Sequence, residues 1–330
     1  MQAKQHCAAR AKDGGQLTHL LGITLMLVLL AGCKPAALSG FPDFITKNED
    51  YFITHVGNVP AIDGASYELK ISGLVASPGS WSLAELRKLK LDTLPVTIEC
   101  IGNPAGGRYI GTAVWKGFKV YDFLVSLGLD DRATGVKYTA ADGYYASHTL
   151  DQLKNGPVIG ALYMNGESLP PEHGFPLRII NPGYYGAKQP AWVVEIEVID
   201  RPLEDYWHDW GWDVNPPMPV DSIIFFPENG YTVSAGKRVQ VGGAAFGGTR
   251  IKRVEVTADN GTTWQQADIV KSMDADNVWI FWKTEVVFPA PGIYTVRSRS
   301  TDTSDTMQPE TDPLGNNGNN GQPAVRLTVQ

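Results

Sequence analysis

Short apolar runs broken by glycine and proline cover most of the chain, and their spacing predicts strands more often than helices. Tyr67, Leu69 and Ile71 share one face of a strand that ends at Gly73 and Pro78-Gly79. Ser82 followed by Glu85 forms a capping box and opens a short helix. Val96–Cys100, Val136–Ala140, Val158–Met164, Leu177–Ile180 and Val193–Ile199 read as further strands, and Lys119–Leu127 repeats at helical spacing. Residues 51–200 therefore form a mixed α+β domain. Residues 201–220 differ: Trp207, Trp210 and Trp212 stand among acids and ahead of Pro216, Pro217 and Pro219, a rigid connector that packs between domains or rims a pocket. From Asp221 to the end only strand patterns remain, about ten residues apart, with Asp259-Asn260-Gly261 as a hairpin turn. That spacing predicts an all-β immunoglobulin-like sandwich over 221–330. The glycine-rich run Gly242–Gly248 belongs to its bulges and turns.

The N-terminus changes the picture of where the protein works. Lys4, Arg10 and Lys12 precede an apolar stretch from Leu17 to Leu30, too short for a comfortable membrane span, and Leu30-Ala31-Gly32-Cys33 follows. Residues 1–32 are expected to be a bacterial lipoprotein signal, with Cys33 lipidated after cleavage and 33–50 an extended tether. Lys34 after that cysteine favours the outer membrane. The expected location is thus the bacterial cell envelope, lipid-anchored and periplasm-facing. Loss of Lys4, Arg10, Lys12 and Asp13 with the signal lowers the basic count from 28 to 25 and the acidic count from 35 to 34, leaving a net charge of −9. Such a balance argues against a nucleic-acid partner.

Known catalytic signatures are mostly missing. His55, His148, His173 and His208 make no HExxH and show no zinc spacing with Cys100, and there is no G-x-S-x-G, P-loop, G-x-G-x-x-G or C-x-x-C-H. Of three cysteines, two lie in or at the end of the export signal. Cys100 alone is left, at a strand end before a glycine-rich loop. Three roles are open to it: a small buried hydrophobe, a nucleophile served by His55, His148 or His173, or a soft ligand to a metal carried in by an organic cofactor.

Four segments in order bear on that choice. They are Thr97–Asn103 with its C-x-G-N, Met164–Pro170 followed by Glu172–Arg178, Pro182–Lys188 followed by Trp192, and Val254–Thr257 followed by Gly261–Trp264. Together they resemble the sulfite oxidase family of molybdopterin-dependent oxidoreductases. The resemblance runs from about residue 48 to the C-terminus. It implies a sulfite oxidase-type molybdopterin-binding domain ahead of the immunoglobulin-like dimerisation domain, and hence a homodimer. It implies that Cys100 ligates molybdenum also held by a molybdopterin, and that Asn103, His173, Arg178 and Lys188 line the cofactor pocket. Arg178 and Lys188 suit the pterin phosphate, and Gly102, Gly106, Gly183 and Gly186 would let backbone amides approach it.

The chain departs from the family pattern where an anion would bind. Thr54 stands at an arginine position in Tyr51–Val56, Pro104-Ala105-Gly106-Gly107 replaces arginines after C-x-G-N with Arg108 coming later, and Ala191 replaces a basic residue. The family's tyrosine near the metal has Tyr206, His208 and Asp213 as candidates. A desolvated sulfite dianion needs concentrated positive charge, so sulfite itself is demoted, and a sulfite-like oxyanion, a sulfoxide and an N-oxide all stay open as the substrate. The expected activity is oxygen-atom transfer on a small oxygen donor or acceptor, with electrons exchanged with a separate electron-transfer protein. Arg10-Ala11-Lys12 is not the twin arginine that export of a loaded molybdoenzyme uses. That motivates an alternative, a cofactor-free lipoprotein keeping the fold as a binding or assembly module.

Overall fold

A computed structural model describes residues 40–312 and 315–330. The export signal, Cys33 and the tether up to residue 39 lie outside the described residues.

Ten strands build the first domain as described: β1 (Glu68–Gly73), β2 (Gly79–Ser82), β3 (Leu91–Glu99), β4 (Ile110–Lys119), β5 (Gly135–Ala140), β6 (Tyr145–Thr149), β7 (Ile159–Met164), β8 (Glu167–Ser168), β9 (Arg178–Ile180) and β10 (Val193–Ile199). One sheet runs β2-β1-β10-β5-β6, with β1 parallel to β10; the other runs β3-β4-β7-β8, with β9 paired to β7. Strict alternation explains β1, whose Leu69 and Ile71 are buried while Glu68 and Lys70 are exposed. Leu69, Ile71, Tyr138 and Val198 from one sheet meet Phe118 and Leu162 from the other across a shared core. Three short helices border it: α1 (Leu83–Leu86), α2 (Val120–Ser126) and α3 (Leu150–Asn155). The Ser82 box forms as its sequence dictates, and Thr149 with Gln152 makes a second box at α3. A connector carrying α4 (Tyr206–Asp209) then leads to the second domain.

There the strands are β11 (Asp221–Phe226), β12 (Thr232–Val233), β13 (Arg238–Phe246), β14 (Ile251–Thr257), β15 (Gln265–Gln266), β16 (Asp268–Lys271), β17 (Ile280–Val287), β18 (Gly292–Asp302) and β19 (Ala324–Val329). The sheets β11-β13-β17-β16 and β12-β19-β18-β14-β15 enclose a core that holds Trp282, Phe288, Val254 and Leu327. Strand β13 takes in the run from Gly242 to Phe246, its pairing with β11 slipping register opposite Gly242, and Gly247-Gly248 lie in the turn that follows. A Cβ on Gly243 would come 1.8 Å from Ile223 O, so the close pairing of β11 and β13 requires glycine there.

Residues 40–56 form a strap rather than a free tether. Phe41 stacks on Phe281 at 5.0 Å and meets Phe226 edge-on at 4.9 Å, fixing the strap to the second domain. Thr46 N–H then donates to Thr112 O (2.7 Å), and Tyr51 is buried against Trp115 on the outer face of the β3-β4-β7 sheet. The apolar residues Phe41, Phe44, Tyr51 and Phe52 thus supply a packing face that short-range pattern reading does not register. The two domains also meet directly, where Trp279 N–H donates to Thr97 Oγ1 (2.8 Å) and Thr97 N–H donates to Asn277 O (2.8 Å).

Candidate active site

A cavity of about 200 Å³ opens beside Cys100. Strand β3 ends at Glu99, so Cys100 is the first residue released from the ladder, half-buried and on the cavity wall. The loop after it is held closely. Cys100 N–H donates to Tyr109 O (2.9 Å), and Cys100 O accepts from Asn103 N–H (2.9 Å). Asn103 Nδ2 donates to Glu99 Oε1 (2.8 Å) and its Oδ1 accepts from Tyr109 N–H (3.1 Å). Burial pushes the Glu99 carboxyl above its usual range, opposed by the Asn103 bond.

Arg178 begins β9 and lines the same cavity. Its guanidinium lies over Trp115 at 5.4 Å and donates through Nη1 to His173 O (3.3 Å), while its Nε is buried without a partner. Burial presses its pKa down, and among the described residues no carboxylate forms an ion pair with it. A buried guanidinium with an unmet N–H is costly unless an anion joins it. His173 is 1% exposed and donates from Nε2 to Asn48 O (2.7 Å) of the strap. Its pKa is lowered, mainly by burial, so the ring is neutral at pH 7. His55 and Trp192 line one side, meeting edge to face at 4.8 Å, with Trp192 Nε1 donating to Pro171 O (2.7 Å).

Cys100, His173 and Arg178 are brought together; Asn103 and Lys188 lie off the cavity wall. Asn103 is spent bracing the cysteine loop. Lys188 is fully buried and bonds through Nζ to both oxygens of Asp205 at 2.8 and 3.0 Å. Its charge is therefore matched inside the protein instead of being free for a phosphate. Gly102 and Gly186 reach the wall, whereas Gly183 packs against Asn277 and Gly248, and Gly106 against Pro323. Arg108 turns to the second domain, 4.8 Å over the Phe225 ring. Tyr206, His208 and Asp213 do not line the cavity, but Tyr144 does. Its hydroxyl donates to Ala187 O (2.6 Å), and burial holds its pKa well above normal, reinforced by Asp205, Asp142 and Cys100. Asp142, Trp207 and Trp212 complete the mouth. The turn Asp142-Gly143 before Tyr144 was the available signal for these residues, but turn chemistry alone does not say what a turn faces.

The donor set fits a molybdenum–pterin group. A single partly exposed thiol offers one soft ligand, as suits a metal that brings its other sulfur ligands with it. The unmet Nε of Arg178 provides for an anionic group at the cavity wall. Fold and site therefore define a two-domain molybdopterin protein.

The comparisons give the family. The model described as "Oxidoreductase molybdopterin binding domain" matches residues 56–207, and the "Mo-co oxidoreductase dimerisation domain" matches residues 213–319. The chain belongs to the sulfite oxidase-like family of molybdopterin-dependent oxidoreductases. The mitochondrial sulfite oxidase of Rattus norvegicus is 28% identical over 322 residues, covering 81% of this chain and 58% of that protein. The sulfite oxidase of Arabidopsis thaliana is 27% identical over 325 residues, covering 81% and 83%. Nitrate reductase [NADH] 1 of Phaseolus vulgaris is 26% identical over 334 residues, covering 81% and 38%. The chain thus spans little more than half the length of the rat enzyme. The crystal structure of the sulfane dehydrogenase SoxCD from Paracoccus pantotrophus superposes with a TM-score of 0.73 at 22% identity, covering 86% of this chain and 80% of that one, and supports the fold. The molybdopterin-binding domain implies a molybdenum cofactor, the dimerisation domain supports a homodimer, and the cofactor-free alternative is not favoured.

Proposed function

We propose that this protein is a cell-envelope oxygen-atom-transfer enzyme that acts on an organic sulfoxide or N-oxide in preference to sulfite. One observation carries the choice of substrate. Once Arg178 is assigned to the cofactor's anionic end, no lysine or arginine is left among the described cavity-lining residues, whereas Asp142 and Glu172 remain. A dianion would be desolvated there against like charge.

Cys100 would ligate the metal, Arg178 would hold the pterin phosphate, and neutral His173 would line the site without adding charge. When bound, the group supplies a two-electron centre for oxygen transfer. The overall reaction balances as XO plus two electrons and two protons giving X and water, or the reverse, with the electrons exchanged with a separate electron-transfer protein. Phe52 and Trp192 give the cavity wall an apolar face. Lipidated Cys33 would hold the enzyme at the membrane, facing the periplasm, probed by whether Cys33→Ala releases the protein into the soluble fraction.

Metal analysis of protein purified from its native membrane tests the reading. About one molybdenum per chain, lost in Cys100→Ser, supports it; metal-free protein sinks it. A screen of sulfite, sulfoxides and N-oxides with a redox dye then ranks the substrates, and a preference for sulfite would overturn the substrate assignment.

A further inference from the structure

We infer that the mouth of the cavity is a cation-binding aromatic cage, so that the substrate carries a methylated, positively charged nitrogen. The inference rests on the catalytic reading above and narrows its substrate class.

Trp207, Trp212 and Tyr144 all line the cavity, and the two tryptophans are only half-buried. Had they served only to pack the domains together, their rings would be enclosed as Trp115 and Trp282 are. They are held in place from behind. Trp212 N–H donates to Trp207 O (3.0 Å), so both rings rise from one turn. Tyr206 backs Trp207 and Tyr144, its ring 5.4 Å from each. The residue preceding α4 is Asp205, buried and fixed by Lys188 Nζ and by Ser147 N–H (3.0 Å). The aromatic wall is thus preorganised, which lowers the ordering cost of binding.

Charge selects what such a wall takes. Asp142 and Glu172 also line the cavity, and among the described residues neither forms an ion pair with a lysine or arginine. Asp142 Oδ1 accepts only the Tyr144 N–H (3.0 Å) of its own turn. Ring faces attract a cation through their quadrupoles, and unpaired carboxylates add to that attraction. An amine N-oxide has this form: a positive nitrogen clothed in methyl groups, with the oxygen to be transferred attached to it.

Tetramethylammonium is the probe, titrated into the purified holoenzyme while tryptophan fluorescence and heat are recorded. Saturable binding is expected, at least 5-fold tighter than binding of tert-butanol, a neutral body of similar size. Trp207→Ala, Trp212→Ala and Asp142→Asn should each weaken it by roughly 3- to 10-fold, with Trp207→Phe and Trp212→Phe intermediate. The phenylalanine variants keep the test valid if an alanine variant fails to fold. Equal binding of tert-butanol, or tryptophan variants that bind unchanged, overturns the cage. Molybdenum is measured on the same samples: loaded protein indifferent to tetramethylammonium refutes the cage alone, while metal-free protein that binds it supports the cage and refutes the catalytic reading.

Discussion

Replacing Lys188 by methionine separates a structural cation from a cofactor ligand. Its ammonium is 0% exposed and its partner Asp205 4%, with the nearer contact at 2.8 Å. At an effective dielectric of about 20, two unit charges at that distance attract by about 6 kcal/mol, and the cost of desolvating both consumes most of it. The net worth of the pair is therefore small, but removing one member is expensive. Lys188→Met leaves the Asp205 carboxylate buried with Ser147 N–H as its remaining close donor, costing about 3–5 kcal/mol. For a chain of this size that lowers the melting temperature by on the order of 10 °C. The double variant Lys188→Met/Asp205→Asn removes both charges and keeps an oxygen for Ser147, so it should recover to within about 1–2 kcal/mol of the parent. Thermal melts of the parent, both single variants and the double variant measure the coupling, and molybdenum and pterin content per chain is measured beside them. The double variant should retain the cofactor. A double variant that melts like the parent but has lost its pterin would refute the reasoning and return Lys188 to the phosphate.

Three further outcomes follow from buried groups elsewhere. His148 is fully buried between Tyr138 Oη and Lys188 O, and burial above all lowers its pKa from 6.5 to about 3. The unfolded chain takes up this proton below about pH 6.5 while the folded chain does not, so the contribution of His148 to stability falls as pH drops from there toward 3; buried Glu99, pushed up to about 8, shifts the parent's curve the other way, so the readout is the difference between the parent and His148→Gln in denaturant titrations, which should change by roughly 2–3 kcal/mol between pH 7 and 4.5. Thr97→Val removes the acceptor of Trp279 N–H and a bond to Thr112 Oγ1, which should cost about 1–3 kcal/mol and speed hydrogen exchange at Trp279 before it does so in either core. Gly243→Ala forces a Cβ to within 1.8 Å of Ile223 O and should destabilise the second domain by on the order of 3 kcal/mol, read by denaturant midpoint.

Local chemistry made much of the fold legible. The Ser82 box, the alternation of β1 and the bounds of β10 all follow from residues within a few positions of each other. Strands β4 and β6 were missed because glycines and polar residues interrupt their patterns, and burial between neighbours overrides that weak local signal. At the site, Cys100 and the loop after it are continuous in sequence, and the structure puts Cys100 on the cavity wall. Asn103 and Lys188 could not, because type and spacing do not reveal that Glu99 and Asp205 wait to bond them. Tyr144, Trp207 and Trp212 come from separate elements, and only the fold makes them neighbours.

The strap gives the molecule a cord grip. A pull on the chain upstream of Gly40 arrives first at Phe41 and Phe44, wedged among Phe226, Phe281 and Trp279 of the second domain. Further along, the same stretch of chain gives His173 its partner at Asn48 and becomes the cavity wall at Phe52 and His55. Traction on the chain ahead of the strap would thus be borne by the sandwich, leaving the residues that line the cavity slack.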